Sequence, residues 1–285
     1  SGRLDNTIIV VTSDNGPEFN TIGKTSKPAV RSFEKFWMAI EGWDVTYENL
    51  GQPGSLAAIG HEWASVSAAP FHLFKFNSSE GGTRVPLVIS GPGIKQQGFV
   101  ESRSQVADIA PTLLDLANVE FNRDEFYGRS LKPILSGESQ RVYGENDSFV
   151  FEFVGSAALY RGDMKITRTP EPHGDGAWQL YDISADPGET TNIASEHPEL
   201  FQNMIEEYHS YANEVGIYEL VPGENARKQL VVNALKGTLK NYWYLFVAIF
   251  LAISLLIFGA FCVIKKMLKN RSEEHTSELQ SLLII

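Results

Sequence analysis

Phe74-Lys75-Phe76-Asn77-Ser78-Ser79-Glu80-Gly81-Gly82-Thr83-Arg84-Val85-Pro86 sets a lysine five residues ahead of Glu-Gly-Gly-x-Arg-x-Pro. Taken alone, this is loop punctuation: Gly-Gly admits backbone conformations closed to other residues, Val85-Pro86 starts an extended run, and a lysine before such a turn is ordinarily a solvated charge. A second stretch upstream changes its weight. Asn6-Thr7-Ile8-Ile9-Val10-Val11-Thr12-Ser13-Asp14-Asn15-Gly16 joins a continuous β-branched run to an Asp-Asn-Gly turn. The run over 7–12 lacks polar alternation, the pattern of a strand covered on both faces of an α/β sheet. In open α/β sheets ligands gather beyond the carboxyl ends of strands, so Asp14 and Asn15 stand where functional groups are expected. Adjacent carboxylate and amide oxygens can both reach one hard cation such as calcium, although Asp-Asn-Gly also reads as an ordinary turn.

In order and spacing the two stretches resemble the second half of the sulfatase family, most nearly arylsulfatases of bacterial type. The likeness runs from about Leu4 to about Tyr218 and continues through Asp108-Ile109-Ala110-Pro111-Thr112, Tyr127-Gly128-Arg129-Ser130-Leu131, and Trp178 to Asp182 with Asp186-Pro187-Gly188-Glu189 and Asn192. The resemblance implies an α/β fold class: part of an alkaline-phosphatase-like sulfatase sheet with a small C-terminal antiparallel subdomain. It also implies hydrolysis of sulfate esters, with Asp14 and Asn15 as ligands of Ca2+ and Lys75 as the catalytic group that grips the sulfate. A hydrated formylglycine, made from a Cys or Ser in a Cys/Ser-x-Pro-x-Arg motif, would attack sulfur. Calcium would polarise the sulfate oxygens, and the lysine would add a compact charge in a water-poor site. Arg84 is expected to brace the turn through a carboxylate. Asp108 is given a structural role only.

This sequence departs from the family at the nucleophile. No Cys/Ser-x-Pro-x-Arg segment occurs in it, and its single cysteine, Cys262, lies in an apolar run. The formylglycine is therefore expected upstream of Ser1, as are the remaining aspartates of the metal site. Calcium takes about six to eight oxygens, so two residues predict weak metal binding and no turnover by these 285 residues alone. Losing a large part of the sheet should also leave exposed strand edges. Two other readings stay open. One is a phosphoryl hydrolase of the same superfamily, which would need a Ser or Thr nucleophile and against which Lys75 before Glu-Gly-Gly weighs. The other is a membrane-tethered pseudoenzyme that only binds sulfated glycans.

The rest of the chain divides by composition. Residues 1–135 read as the C-terminal part of the catalytic domain and 136–218 as the small subdomain. After these come a linker over 219–241, a transmembrane helix over 242–264 and a short tail over 265–285. Within 17–70, Val30, Phe33, Phe36, Trp37 and Ile40 fall near helical spacing and predict a helix over about 29–40 with its rings in the core. Trp43, Tyr47 and Trp63 are assigned to packing ahead of substrate contact, and His61 and His72 have no evident partner. Phe149 to Phe153, Ala157 to Tyr160, Lys165 to Thr167 and Trp178 to Asp182 predict short antiparallel strands, with Arg161-Gly162-Asp163 as a turn between two of them. A helix over about 198–212 should present Met204, Ile205, Tyr208 and Tyr211 to the sheet.

Composition excludes some functions. With 43% hydrophobic and 21% charged residues the chain can bury a globular core, whereas a net charge of −11 and the lack of a basic patch argue against nucleic acid as a partner. One cysteine permits no intrachain disulfide. The expected partners are a sulfated small molecule or carbohydrate, and a membrane. Tyr242 to Ile264 is 23 residues without a charge. At about 1.5 Å per residue that helix crosses a hydrocarbon core of about 30 Å, with Tyr242-Trp243-Tyr244 at one interface and Lys265-Lys266 at the other. Flanking charges nearly balance, so orientation follows the family likeness: a single-pass protein with its globular part extracellular, lumenal or periplasmic. Asn146-Asp147-Ser148 is a candidate glycan acceptor. Asn77-Ser78-Ser79 also matches but sits too near Lys75 to be used. Residues 271–285 read as the translation of a sequencing-library adapter and are set aside. Genomic reads that agree with this tail through Ser281 would refute that reading.

Overall fold

The computed structural model describes residues 2–20, 28–218, 220 and 226–282. Residues 1–219 form one compact unit and residues 220–285 a second. The boundary expected between 135 and 136 falls inside the first unit.

The first unit opens with β1 (Ile9–Thr12), followed by α1 (Pro28–Glu41), α2 (Gly60–Ala68) and the single turn α3 (Glu80–Thr83). Strand β2 (Leu87–Ser90) returns antiparallel to β1, pairing Val10 with Ile89 and Val11 with Val88. The expectation that β1 is covered on both faces is corrected. Val10, Leu87 and Ile89 are half-buried, but Ile9, Val11 and Val88 on the opposite face are exposed. The ribbon has two strands, and no layer covers its second face among the described residues. The apolar residues there form an uncovered sheet face.

Helix α1 forms where the spacing predicts, yet its rings are not core: Phe36, Trp37 and Ile40 are exposed, and Met38 is the residue that is buried. The side chains of Val30 and Phe33 lie outside the described residues. Trp43, Tyr47 and Trp63 are likewise exposed, so the packing role assigned to them is not what the fold uses. Amphipathic spacing reports that a stripe exists. It does not report whether anything covers it.

Helix α4 (Ile109–Leu116) begins at Asp108, and α5 (Lys132–Leu135) follows Tyr127-Gly128-Arg129-Ser130-Leu131. Asp108 is fully buried and accepts hydrogen bonds from the backbone N–H of Gln105 and Arg129 at 2.8 Å and from Tyr143 OH at 2.6 Å. Thr112 Oγ1 adds a bond from the Leu131 N–H at 2.8 Å. The Asp-x-x-Pro-Thr segment therefore ties down the backbone at Arg129 and Leu131, in keeping with its structural reading.

The C-terminal part of the unit is a four-stranded antiparallel meander of β3 (Ser148–Phe153), β4 (Ser156–Arg161), β5 (Met164–Arg168) and β6 (Trp178–Asp182). Arg161-Gly162-Asp163 is the turn from β4 to β5, with Gly162 at φ +55°. Period-two alternation sorts the strands. Ala157, Leu159, Ile166 and Leu180 point to one face and bury against Met204, Tyr208 and Ala212 of α6 (Pro198–Val215). Ala158, Tyr160, Lys165, Thr167 and Tyr181 point to the other, where they too are buried.

In the second unit α7 (Ala226–Leu282) carries one non-helical residue, Tyr242, inside the predicted aromatic belt. Leu235–Lys266 is long and apolar enough to cross a membrane. Of the expected linker, residues 219 and 221–225 lie outside the described residues and Ala226 onward is helical. The helix also runs into the tail, whose Glu, Leu, Gln and Arg residues are good helix formers.

Candidate active site

Beyond Thr12 the chain leaves β1 through Ser13-Asp14-Asn15-Gly16, with Asp14 exposed and Asn15 half-buried. Ser13 Oγ donates to Asn15 O at 2.9 Å, and Asn15 Nδ2 to Gly16 O at 2.9 Å, which spends the amide nitrogen locally. This loop docks on the lysine motif. Gly16 N–H donates to Gly82 O at 2.9 Å and Lys75 N–H to Pro17 O at 3.2 Å. The approach is so close that a Cβ on Gly16 would stand 1.9 Å from Gly81 O.

The expectation for Gly81-Gly82 is corrected in its reason. Neither glycine has a positive φ. What they supply is clearance: a Cβ would stand 2.2 Å from Leu73 O at position 81 and 2.1 Å from Asn77 O at position 82. The unusual dihedrals belong instead to Leu73 and Phe76, at φ +59° and +70°. Two bulky residues in the left-handed region bracket Lys75, each costing roughly 1–3 kcal/mol, the kind of strain that clusters at functional sites.

The two stretches that carry the family likeness thus meet in space, and Lys75 faces the loop from β1. Its Nζ lies 2.7 Å from Glu18 Oε2, with both side chains about a third exposed, and 5.2 Å from the Phe76 ring centre. A cavity of about 600 Å³ opens between loop and motif, lined among others by Asn15, Gly16, Glu18, Gly81 and Arg84; Asp14 and Lys75 are not in its wall. Arg84 braces the turn as expected, 3.6 Å from Glu80 Oε2 and stacked over Phe71. His61, read as having no partner, packs with Phe19, Phe74 and His173.

Beneath the motif lies a polar network that sequence reasoning missed. Ser78 Oγ sits 2.9 Å from Ser156 Oγ and 2.7 Å from Thr167 Oγ1, and donates to Ala157 O at 2.9 Å. Lys165 Nζ, fully buried, donates to Glu80 Oε1 at 2.9 Å and makes an ion pair rather than an aligned hydrogen bond with Glu189 Oε1 at 2.7 Å. Tyr160 OH adds a bond to Glu80 Oε1 at 3.0 Å, and Glu189 Oε2 accepts from the Glu80 N–H at 2.8 Å. Burial alone would raise the Glu80 carboxyl, but the Lys165 ammonium and the Tyr160 hydroxyl hold it below its ordinary value. Burial pulls Lys165 down, and Tyr160, Glu189 and Glu80 more than reverse this, leaving it raised. Burial pushes Tyr160 up to about 12. The small sheet is therefore the foundation of the lysine loop.

As calcium ligands Asp14 and Asn15 fit in kind and fall short in number. Their oxygens are hard donors, but no cluster of three or more His, Cys, Asp or Glu that could hold a metal occurs among the described residues. The described residues by themselves do not complete a calcium site.

Two family profiles match: Sulfatase over residues 1–119, and N-sulphoglucosamine sulphohydrolase, C-terminal, over residues 74–214. An uncharacterized sulfatase of Schizosaccharomyces pombe is 32% identical over 228 residues, covering 76% of this chain and 39% of that protein. Arylsulfatase of Klebsiella aerogenes is 34% identical over 141 residues, covering 47% of this chain and 27% of that one. Arylsulfatase K of Gallus gallus is 33% identical over 171 residues, covering 56% and 31%. Among solved structures, Ps i-CgsB in complex with k-i-k-neocarrahexaose superposes with a TM-score of 0.50 at 18% identity, over 74% of this chain and 37% of that one. The chain spans less than two fifths of the length of each of these proteins. It belongs to the sulfatase family, and it covers the C-terminal part of that family's alkaline-phosphatase-like fold.

Proposed function

We propose that this chain is the C-terminal part of a membrane-anchored sulfuric ester hydrolase acting on an aryl or carbohydrate sulfate. The observation that carries the reading is the docking of the loop after β1 on the lysine motif, through Gly16 N–H to Gly82 O and Lys75 N–H to Pro17 O. It holds Asp14, Asn15 and the Lys75 ammonium on neighbouring segments at the carboxyl end of a strand, where α/β folds bind ligands. Lys75 binds the sulfate and stabilises charge that builds on its oxygens or on the leaving oxygen. Asp14 and Asn15 contribute two residues to a calcium site whose other ligands come from outside these 285 residues. The nucleophile, a formylglycine, also comes from outside.

The test has two parts. The coding sequence upstream of Ser1 should contain a Cys/Ser-x-Pro-x-Arg segment preceded by paired aspartates. The full-length protein should release sulfate from an aryl sulfate, and the 285-residue chain should release none. Sulfate release by the short chain would refute the assignment of the nucleophile to the missing part. A Ser or Thr nucleophile outside a Cys/Ser-x-Pro-x-Arg segment would move the assignment to phosphoryl transfer, and no nucleophile would leave a sulfated-glycan binder.

The second unit is the anchor in this reading. From Leu251 to Phe258 the large side chains are exposed around the full turn of the helix, the pattern of a surface that meets lipid rather than one packed stripe. Lys265 and Lys266 mark one end of the span. The globular part then lies outside the cell or in a lumen, and this can be read from glycans. Asn146 is exposed, whereas Asn77 is buried with its amide donating to Phe74 O at 2.9 Å. Expression in a secretory host should attach one endoglycosidase-sensitive glycan that Asn146→Gln removes and Asn77→Gln does not affect. An unglycosylated Asn146 in a membrane-inserted protein would argue for the opposite orientation.

A further inference from the structure

Lys75 does not stand free. Its Nζ is 2.7 Å from Glu18 Oε2, and Glu18 belongs to the loop that carries Asp14 and Asn15. Contacts on both sides hold Glu18 in place. Pro17 O accepts the Lys75 N–H, and Phe19 packs against Phe74 at 4.9 Å and Phe76 at 5.8 Å, the two residues that flank Lys75. Glu18 Oε1 is buried and has no hydrogen-bond partner among the described residues. Glu18 also lines the cavity between loop and motif. A negative charge is therefore fixed beside the ammonium, and one of its oxygens is left without a donor.

We propose that Glu18 is a specificity-determining residue, which makes the Lys75 site select monoanionic sulfate esters over dianionic phosphate monoesters; this rests on the reading of Lys75 as the sulfate-binding group. The two substrate classes are alike in size and tetrahedral shape. They differ in charge: a sulfate ester carries one, while a phosphate monoester carries about −1.5 to −2 at neutral pH with a second pKa near 6. Lys75 and Glu18 together are neutral, so an incoming anion meets attraction and repulsion at short range. The second charge of a phosphate adds to the repulsion, and the motif's other cation, Arg84, stands over the Phe71 ring, 3.6 Å from Glu80 Oε2. Discrimination here comes from a repulsive element built into the site, not from an extra attractive one.

The test compares full-length wild type with Glu18→Gln on an aryl sulfate and the matching aryl phosphate, above the phosphate's second pKa. The ratio of kcat/KM for sulfate over phosphate should fall about tenfold in Glu18→Gln, the scale of one unit charge at close range in a partly solvated site. A merely structural role would lower both substrates together and keep the ratio, and an unchanged ratio overturns the proposal. If Glu18→Gln does not fold, the wild type still decides. Inhibition of sulfate hydrolysis by the aryl phosphate should weaken as pH rises through about 6, and inhibition that is constant or stronger overturns the proposal. A wild type that folds and hydrolyses no aryl sulfate overturns the proposed function itself, an outcome distinct from an unchanged ratio.

Discussion

Lys75→Ala in the full-length enzyme should lower turnover of a sulfate ester by at least about a hundredfold, the usual cost of removing one preorganised oxyanion stabiliser. The loss should appear in kcat as well as KM, because the ammonium is worth most where charge accumulates. The main-chain bond from Lys75 N–H to Pro17 O does not depend on the side chain, so the loop remains docked. Lys75→Arg should restore little, since a planar, delocalised guanidinium does not place a compact charge against the sulfate as an ammonium does. Steady-state kinetics with an unchanged rate would remove Lys75 from the mechanism.

The largest stability effect is expected at Lys165. Lys165→Met leaves the Glu80 and Glu189 carboxylates, both almost fully buried, without their shared cation and should cost about 3–5 kcal/mol. The urea midpoint measures it, and a loss below about 1 kcal/mol would mean that the network is open to water. Glu80→Gln and Glu189→Gln added to Lys165→Met should recover part of the loss, because no buried charge then remains.

The pH dependence carries a sign that tests the same network. The Glu80 pKa is depressed in the folded protein, so its contribution is present above the ordinary carboxylate pKa and lost as pH falls through the folded value. The Lys165 pKa is raised, so its contribution is complete below the ordinary lysine pKa and lost only as pH rises through the raised value. Wild-type stability should therefore climb through the carboxylate range and hold across neutrality. In Lys165→Met burial acts on Glu80 with little opposition, its pKa rises, and stability should fall with rising pH. Denaturant midpoints on either side of the carboxylate range that move the same way in both proteins would refute this assignment.

Sequence determined several features whose cause is local. The short strands β3 to β6, Met204, Ile205 and Tyr208 of the α6 stripe, the uncharged run inside α7 and the turn at Gly162 each follow from residues within one element and are found where expected, whereas Ala212 takes the core place expected of Tyr211. The family resemblance carried by Asp-Asn-Gly and Lys-x-x-x-x-Glu-Gly-Gly implied that these segments share a site, and backbone bonds join them. Burial was another matter, because it depends on what lies opposite. The apolar run of β1 and the rings of α1 promised a core, yet one face of each stays open for want of a covering layer.

Only the tertiary structure decided the company each charge keeps. Lys165 occupies the register position of β5 that a strand usually shows to water, and the residues near it in sequence supply a ring contact from Tyr160 but neither of its carboxylate partners. Its partner Glu80 is 85 residues away. Glu18 likewise carries no motif of its own and gains its meaning from a lysine 57 positions downstream, 2.7 Å away once the loop from β1 is docked. Periodicity and turn chemistry act over a few bonds and can be read along the chain. Charge pairing and close backbone approach act through space, so the side chains that hold and tune this site become visible only when the chain has folded back on itself.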